Sequence, residues 1–190
     1  MENEVTLYTV TVYSENQVGL LSAISSIFTR RSINIWSLTV SASSIEGVHK
    51  FTITTHTTPE KIQAVVKQVE KRVDVIKAFY YTNEDIVYRE VALYKVETEP
   101  LLENNLLESI ISHHHARIVE MNRLFTVIQK TGHCEDILEL YKDLNSIGKV
   151  LQFVRSGRVA VTRGDHELVD EFLIEREAER KRLEMNKSNN

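Results

Sequence analysis

The chain has 190 residues, 42% apolar and 26% charged, with a formal net charge of −4. It has no surplus of Lys and Arg to neutralise a phosphate backbone, which disfavours nonspecific nucleic-acid binding, and no run approaches the roughly 20 apolar residues that span a bilayer. A single cysteine, Cys134, excludes an internal disulfide framework. The opening MENEVTLYTV lacks the basic region and apolar run of a signal peptide. The expectation is a soluble, cytoplasmic protein that acts without a membrane.

Tyr8, Val10 and Val12 alternate with threonines, so Val5–Tyr13 reads as a strand. Leu20, Leu21, Ile24, Ile27 and Phe28 then fall on one face of a helix. Ile33–Ser43 reads as a second strand carrying Trp36. Ser44, Glu46 and Gly47 form a turn, and Val48–Thr55 returns as a hairpin partner. Thr58 suits an N-cap and Pro59 a first helical position. Ile62, Val65, Val66, Val69 and Val73 mark the inner face of that helix, and Val75–Thr82 closes the unit as a strand.

The same order repeats. Tyr88–Glu97 alternates as a strand, and Pro100 opens a helix whose Leu102, Leu106, Leu107, Ile110 and Ile111 share a face. Arg117–Met121 and Leu124–Gln129 read as a hairpin around Asn122, with Lys130–Gly132 as a loop into the next helix. Ile137, Leu138, Tyr141 and Leu144 form that helix's inner side. Gly148–Phe153 and Arg158–Thr162 are the last strand material, broken at Ser156–Gly157. Each half is βαββαβ, a duplicated small domain of roughly 75–80 residues rather than a solenoid array.

The fold class is therefore α+β: two tandem ferredoxin-like units with antiparallel sheets, at 1–83 and 84–164, followed by a charged tail at 165–190. Two helices would cover one face of each sheet and leave the other open. So small a core favours a homodimer or larger assembly. In the tail, Leu168, Val169, Phe172 and Leu173 suit a short docked helix, and the residues beyond Ile174 a solvated helix that frays into disorder.

The stretch 14–40 is the richest in chemistry. Asn16 and Gly19 stand where a loop meets the first helix, and Asn34 and Ile35 where that helix yields to a strand. A helix's first turn presents unpaired N–H groups and a partial positive charge, which suit a carboxylate. Asparagine amides offer both an acceptor for an ammonium and donors for a carboxylate, and Leu20 with Ile35 would line an apolar slot. The plain structural roles are an N-cap for Asn16, tight packing at Gly19, a turn at Asn34 and core at Ile35.

Other groups are weaker candidates. His113, His114 and His115 point in different directions and suit a solvated helix end better than a metal cage. Cys134 has no base and orienting group in local sequence, and reads as a packing residue. Arg155–Arg158 with Arg163 and Gly164 reads as a turn with exposed arginines, or else as an anionic groove or partner contact. No triad, phosphate loop or carboxylate pair is present, so no catalytic residue and no metal ligand is assigned.

The segments ENQVGLLSAISSIFTRRSINIWSLTV and FVRSGRVAVTRGD, with KRVDVIKAFYYT ahead of VYREVALYKV, carry a family resemblance. The first unit resembles the ACT domain, and the whole resembles the small regulatory subunits of acetohydroxyacid synthase (acetolactate synthase). The resemblance covers roughly Val5–Asp165. It implies an ACT-like second unit and a non-catalytic chain that activates a large catalytic subunit. That partner would use thiamine diphosphate, Mg2+ and FAD, with no cofactor in this chain. It also implies feedback inhibition by valine, leucine or isoleucine bound between ACT units of two chains, at Asn16, Gly19, Leu20, Asn34 and Ile35. The chain departs from many members in having no proline before the helix, Ser32 in place of glycine, and Trp36, which would crowd the effector or reshape the interface. The alternatives are a free-standing ACT-type amino-acid sensor and an RRM-like RNA-binding module. The RRM reading lacks an aromatic RNP1 strand in Val48–Thr55 or Leu124–Gln129.

Overall fold

The computed structural model describes residues 5–102, 106–164, 169 and 174. The chain up to Val87, joined by the chain from Ala160 onward, forms one compact unit, and Tyr88–Val159 forms a second.

In the first unit, β1 (Thr6–Glu15) is followed by α1 (Leu20–Arg30), β2 (Ser37–Ala42), β3 (Val48–Thr57), α2 (Pro59–Val69) and β4 (Val75–Tyr81). The sheet order is β2-β3-β1-β4, all antiparallel. Val10 pairs with Ile53 and Val12 with Phe51 on the helix side, where α1 and α2 add Leu20, Ile24, Ile27, Phe28, Ile62, Val65 and Val69 to one core. The alternate register, Thr9 with Thr54 and Thr11 with Thr52, puts threonines on the opposite face.

That opposite face is not left open. Thr9, Thr11, Thr52 and Thr54 are all buried, and Tyr13 and Val48 pack with Val169 in a separate apolar cluster. Val169 is helical and buried, and Ile174 is helical and exposed; Leu168, Phe172 and Leu173, the rest of the expected docked helix, lie outside the described residues. The other tail residues lie outside the described set.

In the second unit, β5 (Ile86–Glu97) leads to α3 (Thr98–Leu102), α4 (Leu106–His113), β6 (Arg117–Met121), β7 (Phe125–Gly132), α5 (Cys134–Ile147) and β8 (Val150–Thr162). Its order, β6-β7-β5-β8, reproduces the first sheet. Ala92, Tyr94 and Val96 from β5 and Ile128 from β7 form its core with Leu101, Leu107, Ile110, Ile137, Leu140 and Leu144. Burial pushes the Tyr94 phenol above its ordinary pKa, slightly opposed by Arg155, and its O–H donates to the Ile137 carbonyl at 2.7 Å.

Several boundaries differ from the sequence reading. Ile33–Trp36 is not strand. Val73 lies past the end of α2 and is exposed, because the helix has stopped at Val69. Leu102 and Leu138 face outward, and Leu140 takes the inner position expected of Leu138. Lys130–Gly132 is strand, not loop. β8 runs unbroken through Ser156–Gly157: Gly157 takes a left-handed φ of 76°, and the Ser156 hydroxyl accepts the Val91 N–H at 3.0 Å.

Candidate functional site

The mouth of α1 is built by the loop 16–19, exposed throughout. Gly19 occupies the cap position with φ 86° and ψ −8°, no side chain caps the helix, and its first turn holds no acidic residue. Asn16 is therefore not the cap. A Cβ at Gly19 would enter open space, so the left-handed φ, not tight packing, selects glycine here. Among the described residues the Asn16 amide has no hydrogen-bond partner. The uncapped first turn keeps its partial positive charge facing solvent.

The other end of α1 is a complete Schellman stop. The Ile33 N–H donates to the Phe28 carbonyl and the Ser32 N–H to the Thr29 carbonyl, both at 3.0 Å. Ser32 takes the left-handed position, φ 54°, which explains why glycine suits it. Ile33 is buried behind the stop. The Asn34 carbonyl accepts the Thr55 hydroxyl at 2.7 Å, and the Trp36 N–H donates to the Thr54 carbonyl at 2.8 Å. These bonds tie residues 34–36 to β3 just before the edge strand β2.

Asn34 is exposed, Ile35 is half-buried against the first core, and Leu20 is a buried member of that core. Trp36 is 68% exposed, its ring 4.7 Å from that of His56. Asn16, Gly19 and Asn34 thus present polar surface, while Leu20 and Ile35 support it from beneath. Of these five, only Gly19 lines the cleft that lies between α1 and α2. The rest of that cleft escaped the sequence reading, although Ser22, Ala23 and Ser26 at helical spacing from Gly19 mark its small-residue wall.

Of the histidine run, His113 and His115 are exposed at the end of α4 as a solvated helix end requires, but His114 is not. His113 closes α4, and His114 is buried with Nε2–H donating to Asp143 Oδ2 at 2.7 Å. The Lys130 ammonium donates to the His114 carbonyl. His115 takes φ 49° in a second Schellman stop, with Ala116 N–H to Ile111 O at 3.0 Å and His115 N–H to Ser112 O at 3.3 Å. Among the described residues no group of three or more His, Cys, Asp or Glu side chains is placed to hold a metal ion.

In the arginine segment, 155–158 is strand and not a turn, and Arg158 is buried, while Arg155 and Arg163 are exposed. Arg155 donates through Nε and Nη2 to Glu90 Oε2 at 2.9 and 2.6 Å. Arg158 Nε lies 3.9 Å from Glu90 Oε1, with its guanidinium 3.8 Å from the Tyr88 ring centre. Glu90 and Arg158 are both buried. Burial opposes the Arg155 charge, but the Glu90 hydrogen bonds and attraction, with a smaller contribution from Cys134, hold its pKa above the ordinary value. These two guanidiniums neutralise an internal carboxylate and do not form a groove. Cys134, the first residue of α5, is half-buried.

Two family descriptions match the chain: an AHAS small subunit-like ACT domain over residues 10–77, and the small subunit of acetolactate synthase over residues 89–164. The acetolactate synthase small subunit of Bacillus subtilis is 34% identical over 156 residues, covering 82% of this chain and 90% of the relative. The probable acetolactate synthase small subunit of Archaeoglobus fulgidus is 32% identical, covering 83% and 98%. The crystal structure of the Thermotoga maritima acetolactate synthase small subunit superposes with a TM-score of 0.75 at 25% identity, over 84% of this chain and 99% of that one. With two βαββαβ units in the same order and these relatives spanning both, the chain belongs to the acetolactate synthase small-subunit family, the non-catalytic regulatory subunits of that enzyme.

Proposed function

We propose that this chain binds a branched-chain α-amino acid between the first units of two copies and passes that binding to a large catalytic subunit as feedback inhibition. The observation that carries the reading is the mouth of α1: an uncapped helix start at Gly19, with no acidic side chain in its first turn. It suits the ligand carboxylate. Asn16 and Asn34, both exposed, supply amide groups for the ammonium and the carboxylate. Leu20 and Ile35 supply the apolar ground beneath. Within a single chain Asn16 and Gly19 stand at one end of the 11-residue α1 and Asn34 and Ile35 beyond the other, which is why a second copy, bringing one pair against the other, enters the proposal.

In this reading the first unit senses and the second contributes to holding the catalytic partner, whose thiamine diphosphate, Mg2+ and FAD lie outside this chain. The partner's activity rises on association, in the cytoplasm, and the effector lowers it. Effector coupling equals the difference in effector affinity between the two arrangements of the dimer. Valine, leucine and isoleucine differ by methylenes worth only about 1–3 kcal/mol in an apolar slot, so all three belong in the experiment.

The test is calorimetric titration of each amino acid onto the full chain and onto Asn34→Ala and Asn16→Ala. Saturable heat with the parent chain and a clear loss in the variants is expected. Equal affinity in all three removes the two amides from the site. Reconstitution with the catalytic subunit checks the partner: activity unchanged by this chain overturns the regulatory reading and leaves a free-standing sensor.

A further inference from the structure

The cleft between α1 and α2 has a volume of about 340 Å³ and is lined by Gly19, Ser22, Ser26, Arg30, Gln68 and Arg72, among others. Its charged lining is entirely basic. Arg30 and Arg72 have no ion pair among the described residues. α1 contains no acidic residue at all, and the Glu70 carboxylate next to α2 is held by Lys77 at 2.7 Å. Gln68 is oriented: its Oε1 accepts from Arg31 Nε at 3.0 Å, so its NH2 remains a donor. The Ser26 hydroxyl is turned back onto the Ser22 carbonyl at 2.7 Å, which keeps the helix wall low. The uncapped start of α1 at Gly19 opens onto the same cleft.

We propose that this cleft binds a small dianion, a phosphoryl group or a dicarboxylate, between the guanidiniums of Arg30 and Arg72. Arginine's planar fork matches both anions, and charge-assisted bonds are the strong ones. The volume falls in the range of small-molecule pockets. An α-amino acid is the wrong ligand here, because its ammonium would meet two guanidiniums and no lining carboxylate. The cleft shares Gly19 with the amino-acid site proposed above, but its ligand is held by the two guanidiniums and does not depend on that reading.

The experiment is an NMR titration of the full chain, at low ionic strength, with inorganic phosphate and separately with succinate. Saturable shifts at the amides of Gly19, Ser26 and Arg72 are expected with at least one anion, weakening as sodium chloride is added. Binding of phosphate alone specifies a phosphoryl ligand, and of succinate alone a dicarboxylate. Arg30→Gln and Arg72→Gln, both at exposed positions, should each weaken binding about tenfold and leave the thermal melt unchanged. Neither anion binding, or the double variant binding as tightly as the parent, overturns the proposal. No amino acid is present in either titration, so failure of the effector reading leaves this result standing.

Discussion

Ser32 and His115 occupy the same place in the two units, the left-handed residue of a Schellman stop after the first helix or its counterpart, with φ of 54° and 49°. Non-glycine residues there carry a conformational cost of roughly 1–2 kcal/mol, partly offset because glycine loses more chain entropy on folding. Ser32→Gly and His115→Gly should each stabilise the protein by about 0.5–1 kcal/mol, read as a raised urea midpoint with unchanged slope. Glu90 illustrates the opposite case. Glu90→Gln removes the carboxylate that neutralises Arg155 and the buried Arg158, and such a loss typically costs about 3–5 kcal/mol. A urea midpoint close to the parent's would refute that role. Asp85 makes a pH prediction. Its carboxylate accepts from the Thr82 hydroxyl at 2.7 Å and the Thr82 N–H at 2.8 Å, and these bonds hold its pKa below the ordinary value. Its contribution is therefore present above the unfolded-state pKa and is lost as pH falls through the lower, folded-state value. The melting gap between the parent and Asp85→Ala should narrow on acidification; a constant gap from neutral pH to pH of about 3 would contradict the assignment.

Among the elements, periodicity locates every strand and every helix except that α3 and α4 read as one helix opened by Pro100, and the misread boundaries have specific causes. Ile33–Trp36 carries β-branched and aromatic residues, yet the Schellman stop at Ser32 and the bond from Thr55 to Asn34 hold it outside the ladder. Lys130–Gly132 has loop composition, yet Lys130 is buried and reaches the His114 carbonyl, so the strand continues. Ser156–Gly157 reads as a break, but a side-chain hydroxyl takes over one strand N–H and β8 passes through. Apart from the Schellman stop, these partners are distant in sequence, which is why the pattern alone misplaces the ends. β2 is the element an assembly of two copies would use. It is an edge strand that follows Asn34 and Ile35 in the chain, with Val40 40% exposed. An unpaired edge is a template for another chain. On the proposed pairing of two copies, Val40→Lys should shift the sedimentation profile toward monomer and weaken amino-acid binding in parallel. Retention of full binding by a monomeric variant would place the amino acid within one chain.

At the scale of the whole molecule, two βαββαβ units of the same sheet order serve different chemistry. The first offers exposed amides and an uncapped helix start; the second buries several polar and charged side chains, Glu90, Arg158, Lys130 and His114. Arg155–Arg158 read from sequence as surface arginines because a single chain position does not reveal that Glu90, 65 positions away, lies opposite. The basic cleft was invisible for the same reason: Arg30 and Arg72 come together only when α1 and α2 pack on one sheet. A whole-molecule expectation follows from the family. Added to the catalytic subunit, this chain should raise its activity, and valine, leucine or isoleucine should lower it again, measured as acetolactate formed.

Hydrophobic period and turn residues by themselves determined the repeated βαββαβ order, because amphipathic faces and helix breakers are properties of neighbours along the chain; they read α3 and α4 as one helix and β8 as broken. They also determined that a helix starts after the loop holding Asn16 and Gly19 and that the two halves repeat, while the structure made Gly19 rather than Asn16 the cap. Only the tertiary structure decided which polar groups face water. That depends on pairings across the sheet and between helices, so it left Asn16 and Asn34 exposed, buried Glu90 and His114 with distant partners, and set Arg30 and Arg72 around one cleft.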